Sequence, residues 1–410
     1  MNPGDVSWVA TATALVMLMT PALGFFYAGL VRRKNLLSTL VQCLIIFAVV
    51  SIVWTLWGYS LVFGPSINGV IGDLSWFGLR GITAAANVAY APLIPELLFF
   101  AFQLKFAAIT PALIIGAFAE RIHFRSLLIF IIAWSTLIYC PVAHWVWNSA
   151  GWLRAIGAID FAGGLVVHIT AGLSALAAAI VIGRRKDIEH KEAMKPSNIP
   201  YVILGAALLW FGWFGFNAGS ALAADDVMVY ALVNTNIAAA TAAVSWMVVD
   251  WITKGKPSAV GMAVGAVCGL VAITPASGYV NIISAMFIGV VAGIISNLIS
   301  GWRATRTRID DTLDVFSCHG VSGIWGSIAT GIFATITINP TTFNGLLFGN
   351  PGLLLSQTIA VVVIALYSFF GSYILLKVIN VFSPLRVSPE DEEKGLDLAE
   401  HGEEAYSQLS

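Results

Sequence analysis

Asp160-Phe161-Ala162-Gly163-Gly164-Leu165-Val166-Val167-His168-Ile169-Thr170-Ala171-Gly172 decides how the chain is read, because an aspartate opens it and a histidine sits inside its apolar run. A second segment repeats the arrangement: Asp314-Val315-Phe316-Ser317-Cys318-His319-Gly320-Val321-Ser322-Gly323-Ile324. Both continue as His-x-x-small-Gly-aliphatic. An ionisable side chain at membrane depth is costly and faces a cavity or a partner rather than lipid, so each histidine is a candidate functional residue. One alone is better explained as bonded to a neighbouring helix. Two in matching contexts point to a proton-handling path through a membrane.

The surrounding composition sets the class. Hydrophobic residues make up 58% of the chain and charged ones 10%, where a soluble domain carries about 25% charge. Apolar runs of about 20 residues, enough to cross a ~30 Å hydrocarbon core, fall near 6–31, 36–63, 93–119, 126–147, 161–183, 200–222, 228–252, 258–276, 279–300, 314–335 and 353–381. They predict an all-α membrane protein with eleven transmembrane helices. No soluble domain interrupts residues 1–381; the longest connections are 64–92 and 184–199. Residues 382–410 turn acidic and polar. Composition reads that tail equally well as solvated and disordered or as a regulatory element.

Orientation follows from the basic residues, which accumulate in cytoplasmic loops. With the N-terminus outside and the C-terminus inside, eighteen of the 21 Lys and Arg fall on the inner side, Arg80 and Arg154 fall outside, and Lys105 lies within a span. The two histidine segments then run in opposite directions. That is the pattern of an inverted repeat, spans 1–5 against spans 6–10 with a final C-terminal span, whose working site lies where the halves meet. A weaker echo, Gly24-Phe25-Phe26-Tyr27-Ala28-Gly29 against Gly215-Phe216-Asn217-Ala218-Gly219, pairs spans one and six. Helical rise puts His168 ~12 Å beyond Asp160 and His319 ~7.5 Å beyond Asp314, so both rings reach the middle of the bilayer. Asp160 and Asp314 are expected to be structural, accepting from free amides at helix starts.

Other classes are disfavoured. The net charge of -1 gives no hint of nucleic-acid binding. Cys43, Cys140, Cys268 and Cys318 lie in apolar spans at unrelated spacings, which suggests neither a disulfide framework nor a metal site. An intramembrane metalloenzyme built on His168, His319 and Cys318 lacks zinc-ligand spacing. The N-terminus lacks the pattern of a cleavable signal, so its first span is expected to stay.

Further segments carry a family resemblance: Phe211-Gly212-Trp213-Phe214-Gly215-Phe216-Asn217-Ala218-Gly219-Ser220, Gly116-Ala117-Phe118-Ala119-Glu120-Arg121, Asp310-Asp311 through Gly323, and Glu393-Lys394-Gly395-Leu396-Asp397 with His401-Gly402-Glu403-Glu404-Ala405-Tyr406. With the Asp160 segment they make nearly the whole chain resemble the ammonium transporter family, Amt/Mep type, related to the Rhesus proteins. The resemblance implies a homotrimer in the plasma membrane, with one path per protomer and ammonium as substrate; methylammonium is a further candidate. It implies no cofactor and no enzymatic activity. Trp147, Phe106 and Ser220 look like an outer recruitment site, with Phe102 and Trp213 lining nearby. Phe106 and Phe216 look like a gate, and His168 and His319 like twin histidines of a lumen. A PII-type regulatory protein is implied at the inner face, against loop 184–199 and the tail. The alternative is an ammonium sensor of the same fold, signalling through those loops.

Overall fold

The structure, a computed structural model, describes residues 1–186, 188 and 195–406. Part of loop 184–199, expected to meet a regulator, therefore lies outside the described residues. Among those described, eleven apolar helical segments follow one another: α1 (Pro3–Leu30), α2 (Arg33–Phe63), α3 (Glu96–Ala117), α4 (Phe124–Ala155), α5 (Gly164–Ile182), α6 (Ile199–Ala221), α7 (Asp226–Lys254), α8 (Ala259–Ile273), α9 (Ile282–Arg306), α10 (316–333) and α11 (Pro351–Phe382). Nine are long and apolar enough to cross a membrane; α8 is shorter and α10 begins with a wide turn. The chain is thus an integral, multi-pass membrane protein. Two small antiparallel hairpins fold the α2–α3 connection, 66–72 and 86–95.

Local chemistry starts these helices where the polar residues fall. Asn2, Asn198, Asp225, Ser258, Asn281 and Asn350 each accept from a first-turn amide of the helix that follows. Proline stands in the first turn of α1, α6 and α11. There its missing N–H costs nothing and its fixed φ suits the helix.

Small residues then let backbones approach. A Cβ on Gly205 would lie 2.4 Å from the Phe26 nitrogen, and one on Gly215 would lie 2.6 Å from Leu15 Cβ, so α6 packs directly on α1. A Cβ on Gly172 would lie 2.2 Å from the Gly320 nitrogen, while one on Gly323 would meet His168 Cβ at 3.1 Å. These reciprocal contacts press α5 and α10 together at the histidines. As expected of an inverted repeat, corresponding elements of the two halves meet at the centre. α5 is 78% buried, whereas α7 and α11 are 39% and 33% buried, so the histidine helix is central and those two peripheral.

The tail is docked rather than solvated. Asp397 accepts from the Leu37 and Ser38 amides at the start of α2, the Leu396 amide donates to Asn35, and Glu400 bonds His123 and the Phe124 amide. Its residues through Tyr406 are packed onto the helix ends, where Arg33 lies over the Tyr406 ring at 5.1 Å. The charged groups fit sites that only the folded helix ends provide.

Beside the tail lies a buried ionic network. Glu120 pairs with Arg32 at 2.9 Å and with Arg185 at 3.1 Å, and Arg185 reaches Asp310 at 3.0 Å. Burial pushes the Glu120 carboxyl up, but Arg185 and Arg32 outweigh it and hold it below the ordinary glutamate value; Asp310 is likewise lowered against burial by Arg121 and Arg185. A carboxylate lowered in the folded state contributes stability that is complete above its unfolded value, about pH 4, and is lost as pH falls through the folded value. Glu120→Gln is therefore expected to melt well below the parent at pH 7 and to lose less on further acidification. A neutral-pH melting temperature equal to the parent's would contradict this account of the network.

Candidate functional site

Two cavities face each other across a pair of phenylalanines. The first, about 230 Å³, is a vestibule lined by Phe102, Gln103, Phe106, Trp147, Asp160 and Ser220 among others. Trp147 stands perpendicular to Phe106, with centroids 5.9 Å apart, and its indole N–H donates to the Asp160 carbonyl at 3.1 Å. That bond fixes the ring face toward the cavity. Phe102 meets Phe106 edge-on at 4.9 Å. The Ser220 hydroxyl donates to the Phe216 carbonyl at 2.8 Å, which leaves its oxygen lone pairs to accept from a guest. An aromatic enclosure with one hydroxyl acceptor suits a small cation held weakly.

Phe106 and Phe216 close the vestibule floor, their centroids 4.3 Å apart and their planes tilted by 35°. Both are fully buried. Beyond them lies a much smaller void, about 10 Å³, lined by Leu23, Ile109, Val167, Trp213, Phe216 and both histidines among others. That is room for about one water-sized molecule.

His168 and His319 lie side by side in this void, centroids 5.3 Å apart and Nδ1 to Nδ1 3.3 Å. One Nδ1 must donate and the other accept, so the rings carry opposite tautomers and their Nε2 atoms present one acceptor and one donor. His168 Nε2 is buried without a partner among the described residues. Trp213 stacks on His168 at 5.4 Å and is held by its own bond to Thr274 at 2.9 Å. Both histidines sit in wide π-helical turns, Gly164–Ile169 and Phe316–Val321. Such turns cost regular hydrogen bonding and gather at functional positions.

The aspartates divide differently from the sequence expectation. Asp160 accepts four amides: Gly163 and Gly164 at one oxygen, Leu165 and Val166 at the other, all within 3.0 Å. Gly163 at φ +117° allows the chain to fold around it, a conformation side-chain-bearing residues rarely adopt. In the second half the cap is Asp311, which accepts from Val315 and Phe316 at 3.1 and 2.8 Å. Asp314, expected to cap this turn, instead has φ +56° and pairs with Arg303 at 2.8 Å. The missed signal was spacing: Asp160 precedes His168, and Asp311 precedes His319, by the same eight positions. Asp314 stands next to the turn in a left-handed backbone conformation, and its carboxylate is taken by Arg303 instead of by those amides.

Gln103 is a second residue the sequence reading passed over; its carbonyl oxygen is buried beside the vestibule without a partner among the described residues. Cys318, next to His319, lies with its sulfur 3.3 Å from that of Cys268, both as free thiols. Among the described residues no group of three or more His, Cys, Asp or Glu could hold a metal ion.

A bundle of apolar helices that encloses paired imidazoles in a constricted interior void defines a helical integral membrane protein with a site at its centre. The chain belongs to the Ammonium Transporter Family, whose sequence profile matches residues 7–406. It is 47% identical to ammonium transporter Amt1 of Archaeoglobus fulgidus over 407 residues, covering 99% of this chain and 100% of that protein. Among solved structures, Mep2 of Saccharomyces cerevisiae superposes with a TM-score of 0.88 at 38% identity, over 95% of this chain and 91% of that one. A sensor Amt protein superposes with a TM-score of 0.89 at 32% identity, over 97% and 98%.

Proposed function

We propose that the protein conducts ammonium nitrogen across the plasma membrane. The reading takes the N-terminus as outside, the assembly as a homotrimer, and the path as one per protomer. Ammonium is caught in the vestibule by Trp147, Phe106 and Ser220 beside Phe102, whereas Trp213, carried over with them from the resemblance, lines the inner void against His168. The ion gives up its proton to water in the vestibule near the Phe106–Phe216 gate and passes as ammonia along His168 and His319, the proton either returning outside or following through the histidine pair.

The observation carrying this reading is the pair of bonded imidazoles in a void for one small molecule, directly behind the aromatic floor. An intact ammonium could not rest there cheaply: taking such a charge into a low-dielectric medium costs of order 20 kcal/mol in the idealised limit. Aromatic contacts offset ~0.5–2 kcal/mol. A neutral base of water size meets no such cost and finds both a donor and an acceptor.

Recording current and ammonium uptake together in proteoliposomes tests the reading. Uptake with one charge per ammonium means the proton follows the base; uptake without current means net ammonia passage. No uptake defeats conduction. Trp147→Leu is expected to raise the half-saturating concentration by about 2- to 30-fold with little change in maximal flux, because a contact of ~0.5–2 kcal/mol is lost before the committed step. A lower maximal flux with unchanged half-saturation would assign Trp147 to a later step.

A second reading is a sensor of the same fold. The docked tail and the likeness to a sensor Amt protein favour it, and a PII-type regulator at the cytoplasmic face would serve either role. Flux in purified proteoliposomes separates them.

A further inference from the structure

The vestibule suits a cation, yet it already holds one. Among the described residues two charged side chains line it, Asp160 and Arg154, amid aromatic, apolar and neutral polar ones. The Asp160 carboxylate is fully engaged: it is buried, and each of its oxygens accepts backbone amides. Arg154 is exposed and no carboxylate pairs with it among the described residues; its guanidinium donates to the Trp147 carbonyl at 3.2 Å. Its charge therefore faces the vestibule uncompensated.

The backbone explains where the arginine sits. Trp147 ends the helical stretch Cys140–Trp147 of α4. Carbonyls at such an end lack an intrahelical donor and carry partial negative charge. A guest cation beside the Trp147 ring could take that carbonyl. Arg154 occupies it instead.

A like charge beside the guest acts on only one of its protonation states. Ammonium is repelled; ammonia is not. Two unit charges ~7 Å apart in water interact enough to change an equilibrium about threefold. Capture is weakened by that factor. The same factor favours the step in which an N–H bond of ammonium breaks, a water oxygen takes the proton, and the positive charge leaves as hydronium. Ammonia then meets the Phe106–Phe216 floor uncharged, so Arg154 does not alter that barrier.

We propose that Arg154 is a further residue of the conduction path, one whose charge keeps ammonium loosely held in the vestibule and promotes loss of its proton to water. The inference rests on the conduction reading above and adds a specificity element to it. A cation of similar size with no proton to give, such as potassium, is only repelled.

The test is ammonium uptake by proteoliposomes of the full-length parent, Arg154→Gln and Arg154→Lys. Arg154 is exposed and makes one recorded bond, so its replacement leaves the folded core untouched. In Arg154→Gln the half-saturating concentration and the maximal flux are expected to fall together by about threefold, the signature of a relieved ground-state penalty. Arg154→Lys restores both, because it keeps the charge. The difference between parent and Arg154→Gln should close as salt is raised on both sides, since the Debye length falls from ~30 Å at ~0.01 M to ~3 Å at ~1 M. A half-saturating concentration that is unchanged or raised in Arg154→Gln would overturn the inference while conduction by the parent stands. A difference that persists at high salt, or a lysine variant that behaves like the glutamine one, would assign the effect to the carbonyl bond and overturn it too. A parent protein that takes up no ammonium would remove the conduction reading and the inference with it.

Discussion

His168→Ala is expected to reduce ammonium uptake by at least about tenfold in proteoliposomes, or to replace it by a conductance that no longer excludes potassium. The ring contacts Trp213 on one face and His319 on the other, and one of its nitrogens makes the only hydrogen bond recorded for His319 among the described residues. Its removal takes away half of the donor–acceptor pair and enlarges a void of about 10 Å³. A hole of that kind in a partly polar setting admits water, and water admits ions. A loss of 1.4 kcal/mol in barrier stabilisation is a factor of ten. Removing a buried, hydrogen-bonded ring exceeds that. Uptake and potassium exclusion both equal to the parent's would end the twin-histidine mechanism.

Asp160→Ala is expected to prevent folding. Four buried amides lose their acceptor together. Each unsatisfied group costs about 1–3 kcal/mol, so the sum approaches the whole stability of an ordinary domain, about 5–15 kcal/mol. Asp160→Asn separates this from a chemical role. Its amide oxygen can still accept two of the four bonds, while its nitrogen faces amide donors it cannot serve. A folded protein with a clearly lower melting temperature is the expected outcome for the asparagine variant. Monodisperse Asp160→Ala with the parent's melting temperature would show that the turn at Gly163 stands without its cap.

Both expectations concern residues that were visible before any coordinates. The twin His168 and His319 could be found because charge is rare in apolar spans, so two rings in repeated contexts stand out. The eleven helices could be counted for the same reason: about 20 apolar residues have few other places to go. The Lys/Arg asymmetry could orient them only as an expectation.

Asp314 marks where such reading stops. Local spacing suggested a cap, yet which carboxylate folds back over a turn depends on the loop's path, and Arg303 of the preceding helix takes Asp314 instead. The tail shows the same limit. Its acidic composition permits solvation, but the amides at the start of α2, brought beside it by the fold, give Asp397 a better acceptor role.

The sequence by itself determined a helical membrane protein with two intramembrane imidazoles, since burial of apolar length and the cost of charge in lipid act on composition and order alone. Only the tertiary structure decided that the rings touch through Nδ1, that Phe106 and Phe216 close over them, and that Asp311 rather than Asp314 supports the second turn. The first depends on Gly172 and Gly323 bringing two distant helices into contact, the second on the packing of α3 and α6, and the third on the loop that delivers Asp314 to Arg303, none of which a linear pattern encodes.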